Sequence, residues 1–240
     1  MKISPTLTEV KEIAKTGKYD ILPVSCEILS DFITPIEAMR ILQNVSTHCY
    51  LLESAQANEA WGRYTFLGYD PKLEINCIDG HMKLGKLSVE TENPSEYIRQ
   101  ILSEYKSPKF DYLPSFTGGL VGYFSYDYLG YKEKSIRGKA RDTEDFKDVD
   151  LMLFDKVIAF DNLCQKIILI ANMSLDAPET GYNKAIVELK QLRELLMHGE
   201  KKQIWVASCW VRSHRFLKRS SIVRWSRRQS TISKRGIFSR

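Results

Sequence analysis

Four segments of this 240-residue chain carry apolar side chains at helical spacing, and each is framed by a start or stop signal. Thr6 and Glu9 form a capping-box pair at the head of the first, where Leu7, Val10, Ile13 and Ala14 share one face before Gly17 ends the turn. Thr34-Pro35-Ile36-Glu37 repeats the device with proline at the first helical position, and predicts a helix running to about Leu42. Asn93-Pro94-Ser95-Glu96 is read as a third such box, with Tyr97, Ile98, Ile101, Leu102 and Tyr105 as the buried stripe. The fourth helix is expected from about Thr180 to His198, turning Ile186, Leu189, Leu192, Leu195 and Leu196 inward, with Gly199 at its end.

Between these lie stretches with the two-residue alternation of half-buried strands. Tyr50-Leu51-Leu52 closes one apolar run, and Arg63 to Tyr69 and Leu73 to Cys77 form two more. Asp79-Gly80 is a hairpin turn leading into Met82 to Leu84. A longer pair is predicted from Leu151 to Phe160 and from Lys166 to Ala171, turning at Asp161-Asn162. Hairpins pair antiparallel, so the expected class is α+β, with antiparallel sheets and flanking helices.

Composition adds a boundary. The last acidic residue is Glu200, and twelve of the 35 basic residues follow it, so residues 1–200 hold 23 basic against 30 acidic side chains while residues 201–240 are purely basic. Trp205, Trp210 and Trp225 fall in the same tail, which has no apolar period of helix or strand. Two readings compete: a basic arm with interleaved aromatics for nucleic acid or an anionic membrane, or out-of-frame sequence. Residues 1–200 have the apolar content of one globular unit. With no apolar run long enough for a bilayer and no signal-peptide segment in MKISPTLTEV, the expected location is the cytoplasm. Cys26, Cys49, Cys77, Cys164 and Cys209 show no CxxC spacing, and His48, His81, His198 and His214 are dispersed, so neither a zinc site nor a nucleophile set is indicated. The acidic run Asp142, Glu144, Asp145, Asp148 and Asp150 reads as a solvated loop.

Chemistry concentrates in Tyr50 to Pro71. A strand ending at Leu52 hands Glu53 and Ser54 to its rim, where the carboxylate can accept from an ammonium and the hydroxyl can serve either partner. Arg63, in Trp61-Gly62-Arg63-Tyr64, can take a carboxylate through two parallel hydrogen bonds. The competing reading is a solvated turn with a surface cation.

Leu51-Leu52-Glu53-Ser54 followed by Trp61-Gly62-Arg63-Tyr64-Thr65-Phe66-Leu67-Gly68 resembles the amino-terminal region of anthranilate synthase component I. Pro114 to Asp127, PSFTGGLVGYFSYD, resembles the family's P-x-F-x-G-G-x-V-G-Y-x-x-Y-D signature, and Asp150 to Asp155 the block that follows it. The resemblance covers most of residues 1–200 and implies an incomplete part of the chorismate-binding architecture. It also implies a feedback pocket for L-tryptophan in which Ser54 is the best supported contact, with Glu53, Leu52 and Arg63 beside it.

The family converts chorismate to anthranilate, a lyase reaction of tryptophan biosynthesis. It does so with Mg2+ and with ammonia from a glutamine amidotransferase subunit, through residues of a carboxy-terminal region without counterpart here. No catalytic, cofactor or metal residue is therefore assigned, and the chain alone is expected to be inactive and to bind no Mg2+. Because the resemblance stops where the acidic residues stop, the out-of-frame reading of 201–240 is preferred, and residues 1–200 are taken as the regulatory domain. The alternatives are a fragment of component I of aminodeoxychorismate synthase and a non-enzymatic small-molecule sensor with a nucleic-acid-binding arm.

Overall fold

Capping chemistry places the first two helices where the sequence predicts them. In the computed structural model, which describes residues 2–53, 62–133, 135 and 146–202, the Thr6 and Thr34 side chains accept from the backbone N–H of Glu9 and Glu37, and both glutamates reach back to the cap. These boxes open α1 (Leu7–Lys15) and α2 (Pro35–Val45). The third box does not form. Asn93 makes no cap hydrogen bond, its Nδ2 donating instead to Glu96 Oε1 at 2.7 Å, and α3 (Pro94–Ser103) starts on its proline alone. The last helix, α4 (Pro178–His198), begins two residues earlier than expected, again on a proline.

Eleven strands form two antiparallel sheets among the described residues. The six-stranded sheet runs β1 (Ile3–Ser4), β2 (Ile21–Leu29), β11 (Lys166–Ser174), β10 (Lys156–Asp161), β4 (Tyr64–Tyr69) and β3 (Cys49–Leu52) in spatial order. The five-stranded sheet runs β7 (Leu87–Glu90), β6 (His81–Leu84), β5 (Leu73–Ile78), β9 (Val149–Phe154) and β8 (Gly119–Phe124). A 3₁₀ helix, Tyr126–Tyr131, follows β8. The α+β class and the antiparallel pairing are those the sequence predicts.

The expected long strand from Leu151 to Phe160 is two strands in two sheets. β9 pairs with β5 and β8, while β10 pairs with β11 and β4. The break falls at Asp155, whose carbonyl accepts from both the backbone N–H and the side-chain amide of Asn172. Apolar residues buried on both faces continue through the break, so hydrophobic pattern alone could not reveal it.

Three cores result. One face of the six-stranded sheet packs under α1, α2 and α4, where Val10, Leu42, Leu189 and Leu192 meet Leu22, Leu67, Ile158 and Leu169. The opposite face is covered by Phe110, Leu113 and Phe116 over Val157, Ala159, Ile168 and Ile170. The five-stranded sheet packs Ile75, Cys77, Met82 and Leu151 against Ile98 of α3.

The signature glycines serve sheet packing. A side chain at Gly122, which has φ +154°, would put Cβ 2.0 Å from the Asp150 carbonyl oxygen across the β8–β9 ladder. Residues Met1–Lys202 cluster as one compact unit. Within it Glu200, Lys201 and Lys202 lie along α2, with Asn44 Nδ2 donating to the Glu200 carbonyl at 2.6 Å and Arg40 Nε to that of Lys202 at 2.8 Å. Among the described residues no helix is long and apolar enough to cross a membrane.

Candidate functional site at the sheet edge

The sequence predicts a binding rim where β3 ends, and the structure puts that point on the outer edge of the six-stranded sheet. Leu52 pairs with Phe66 of β4, so Leu52, Glu53 and Arg63 stand at the same end of the β3–β4 ladder. Leu52 is 47% exposed, and Glu53 is exposed beyond the strand. Ser54 lies outside the described residues, as do Trp61 and Asp142, Glu144 and Asp145 of the acidic run.

Arg63 is engaged with a partner within the chain. Its Nε donates to Asp161 Oδ1 at 3.1 Å and its Nη2 to Asp161 Oδ2 at 2.7 Å, the planar fork meeting a carboxylate that is fully buried at the end of β10. Asp161 Oδ1 also accepts from the backbone N–H groups of Leu163 and Cys164, at 3.1 and 3.0 Å, closing the β10–β11 turn. Burial pulls the Asp161 carboxyl upward, but the Arg63 and backbone hydrogen bonds outweigh it and hold the group below its ordinary value. The guanidinium carbon also sits 4.9 Å from the centroid of the Tyr64 ring. Asn162 completes the arrangement, donating from its backbone to the Arg63 carbonyl at 2.9 Å and from Nδ2 to the buried Thr65 hydroxyl at 3.3 Å. In the sequence Asp161-Asn162 reads as a turn and nothing more; no local signal marks Asp161 as the partner of a residue 98 positions away.

Beneath this edge lies an aromatic cluster. Tyr50, at mid-strand in β3, has its ring centroid 4.7 Å from that of Phe154 and 6.4 Å from that of Phe116, both edge-on. Its hydroxyl is buried without a hydrogen-bond partner, and burial pushes the phenol pKa upward. Phe66 packs against Phe116 at 5.6 Å and Tyr64 at 5.8 Å. The sheet edge thus combines an exposed carboxylate, a half-exposed guanidinium and an aromatic floor. That combination suits a small ligand carrying both charge and an aromatic ring.

The resemblance implies Mg2+ for the family. Among the described residues no three His, Cys, Asp or Glu side chains converge as a metal ion requires.

With this geometry in place, comparison with known proteins gives a consistent result. No protein-family model matches the chain. Anthranilate synthase component 1 of Acetivibrio thermocellus is 34% identical over 198 residues, 80% of this chain and 39% of that protein. The Pseudomonas aeruginosa protein of the same name is 36% identical over 196 residues, 78% of this chain and 39% of its own length. A crystal structure of anthranilate synthase component I from Streptococcus pneumoniae TIGR4 is similar at 25% identity and a TM-score of 0.45, covering 69% of this chain and 36% of that one. The chain therefore spans about two fifths of the relatives it matches. Over most of its own length it is a partial match to the anthranilate synthase component 1 family.

Proposed function

We propose that residues 1–200 are the regulatory part of an anthranilate synthase component 1, and that the β3–β4 sheet edge binds L-tryptophan as feedback inhibitor. The likeness to the Acetivibrio and Pseudomonas proteins is the observation that carries this reading. In it the Ser54 hydroxyl and the Glu53 carboxylate meet the charged groups of the amino acid, and Leu52 meets its ring. Arg63 contributes through Nη1, its other edge being held by Asp161. In the complete enzyme a glutamine amidotransferase subunit supplies ammonia, and chorismate is converted to anthranilate in the region this chain does not match.

Titrating the 240-residue chain and its Ser54→Ala variant with L-tryptophan tests the site. Loss of one hydrogen bond to a charged group costs roughly 1.5–3 kcal/mol, so the variant should bind about one to two orders of magnitude more weakly. Equal affinity in the two proteins would remove Ser54 from the site. The chain alone, given chorismate with ammonia or with glutamine and amidotransferase, should form no anthranilate. Fluorescent product above a no-protein control would overturn that part of the reading.

A further inference from the structure

Where the chain passes from β9 to β10 it leaves one sheet for the other, and a mostly enclosed cavity of about 120 Å³ opens beside the crossing. A second cavity of about 280 Å³ adjoins it, and the two share Lys72, Asp155, Asn172 and Ser174. None of these residues belongs to the β3–β4 edge. The deeper cavity has an apolar wall of Ile21, Leu102 and Phe154, and Leu102 is 45% exposed although the α3 stripe predicts it buried.

Two opposite charges border this space, Lys72 against an aromatic ring and Asp155 within the fields of Lys156 and Tyr69, while Lys184 and Glu188 pair with each other on the outer cavity. The Lys72 ammonium rests 5.4 Å from the centroid of the Tyr105 ring and forms no ion pair among the described residues. The Asp155 carboxylate likewise makes no hydrogen bond or ion pair there. Asn172 supplies a third group. Its Nδ2 donates to the Thr117 carbonyl at 2.6 Å and to the Asp155 carbonyl at 3.0 Å, which fixes the amide and leaves Oδ1 as an unused acceptor. Gly118 preserves this arrangement, because a Cβ there would lie 2.5 Å from Asn172 Nδ2. A cation, an anion and a fixed acceptor beside an apolar wall match a zwitterion with a short apolar side chain.

We propose that this seam cavity binds a small aliphatic α-amino acid. Its carboxylate pairs with Lys72, its ammonium is shared by Asp155 and Asn172 Oδ1, and its side chain lies against Ile21, Leu102 and Phe154. Calorimetric titration of the 240-residue chain with L-valine tests the assignment. Isobutyrate and isobutylamine serve as probes that each lack one of the two charges. L-valine should bind saturably at one site, and each single-charge probe at least about tenfold more weakly. Lys72→Gln and Asp155→Asn should each weaken L-valine about tenfold or more, and Ser54→Ala should leave it unchanged. Lys72 is an exposed side chain, so its variant keeps the test valid if Asp155→Asn fails to fold. Absence of saturable L-valine binding overturns the proposal, as does unchanged affinity in Lys72→Gln. An effect of Ser54→Ala on L-valine also overturns it, by moving the ligand to the sheet edge. Tryptophan binding is read separately in the same proteins, so either reading can fail without the other.

Discussion

At the scale of single residues, the candidate site depends on a pairing that ties the start of β4 to the end of β10. Asp161 gives one oxygen to Arg63 Nη2, shares the other between Arg63 Nε and two backbone N–H groups, and has no access to water. Replacing it with asparagine removes the charge that makes these hydrogen bonds strong and should cost about 2–3 kcal/mol at neutral pH. The pH dependence has a definite sign. Because the folded-state pKa of Asp161 lies below its ordinary 3.8, its stabilisation is fully present above that value and disappears as pH falls through the lowered one. Urea denaturation at several pH values should therefore show a gap between wild type and Asp161→Asn that is constant from neutral pH down to about 5 and closes in stronger acid. A gap that stays constant into strong acid would mean the carboxylate's charge is not what matters. For ligand binding the same pairing means that Arg63 has a fixed position before any ligand arrives, which lowers the entropy it loses on binding.

At the scale of elements, the caps show how a sequence signal and a structure can agree or part. Thr6 and Thr34 form reciprocal boxes, whereas Asn93 has the right position but turns its side chain to Glu96. Thr6→Ala and Thr34→Ala should each destabilise the fold by about 1 kcal/mol, while Asn93→Ala should change it far less. Chemical denaturation of the three variants separates them, and an equal cost at Asn93 would contradict its missing cap bond.

What could be read from the chain follows the range of each interaction. Helix starts, the Asp79-Gly80 hairpin and the β10–β11 turn depend on neighbours a few residues apart, and all are visible in the sequence. β2, as long as β11, escapes notice although Leu22, Val24, Cys26 and Ile28 alternate with Pro23, Ser25 and Glu27, because a proline within a run argues against a strand paired on both sides. Its position is set by β11, a partner far along the chain. The division of Leu151–Phe160 between two sheets escapes for the same reason, since Asn172 decides it. The candidate site divides in the same way. Leu52 and Glu53 fall at a strand end as their pattern implies, but the partner of Arg63 and the cluster of Lys72, Asp155 and Asn172 exist only once distant strands meet.

At the scale of the whole molecule, the two sheets are stitched together by the chain itself, which passes between them at Asp70 to Lys72 and again at Asp155. Neither sheet closes on local hairpins alone. β2 lies between the two-residue β1 and β11, with Leu29 opposite Lys166 and Ile21 opposite Ser174. That register sets a timetable for synthesis. A ribosome releases β2 early, and the strand then waits, its backbone donors and acceptors and its Leu22 and Val24 side chains without their eventual neighbours, until β11 has been made. Nascent chains arrested with β11 still inside the exit tunnel should be cleaved readily by protease within residues 21–29. Chains long enough to expose α4 should resist cleavage there. Early protection would require an interim partner for β2. The pairing of β2 with β11 is thus also an interval of exposure, when the newborn chain depends most on chaperones for its survival.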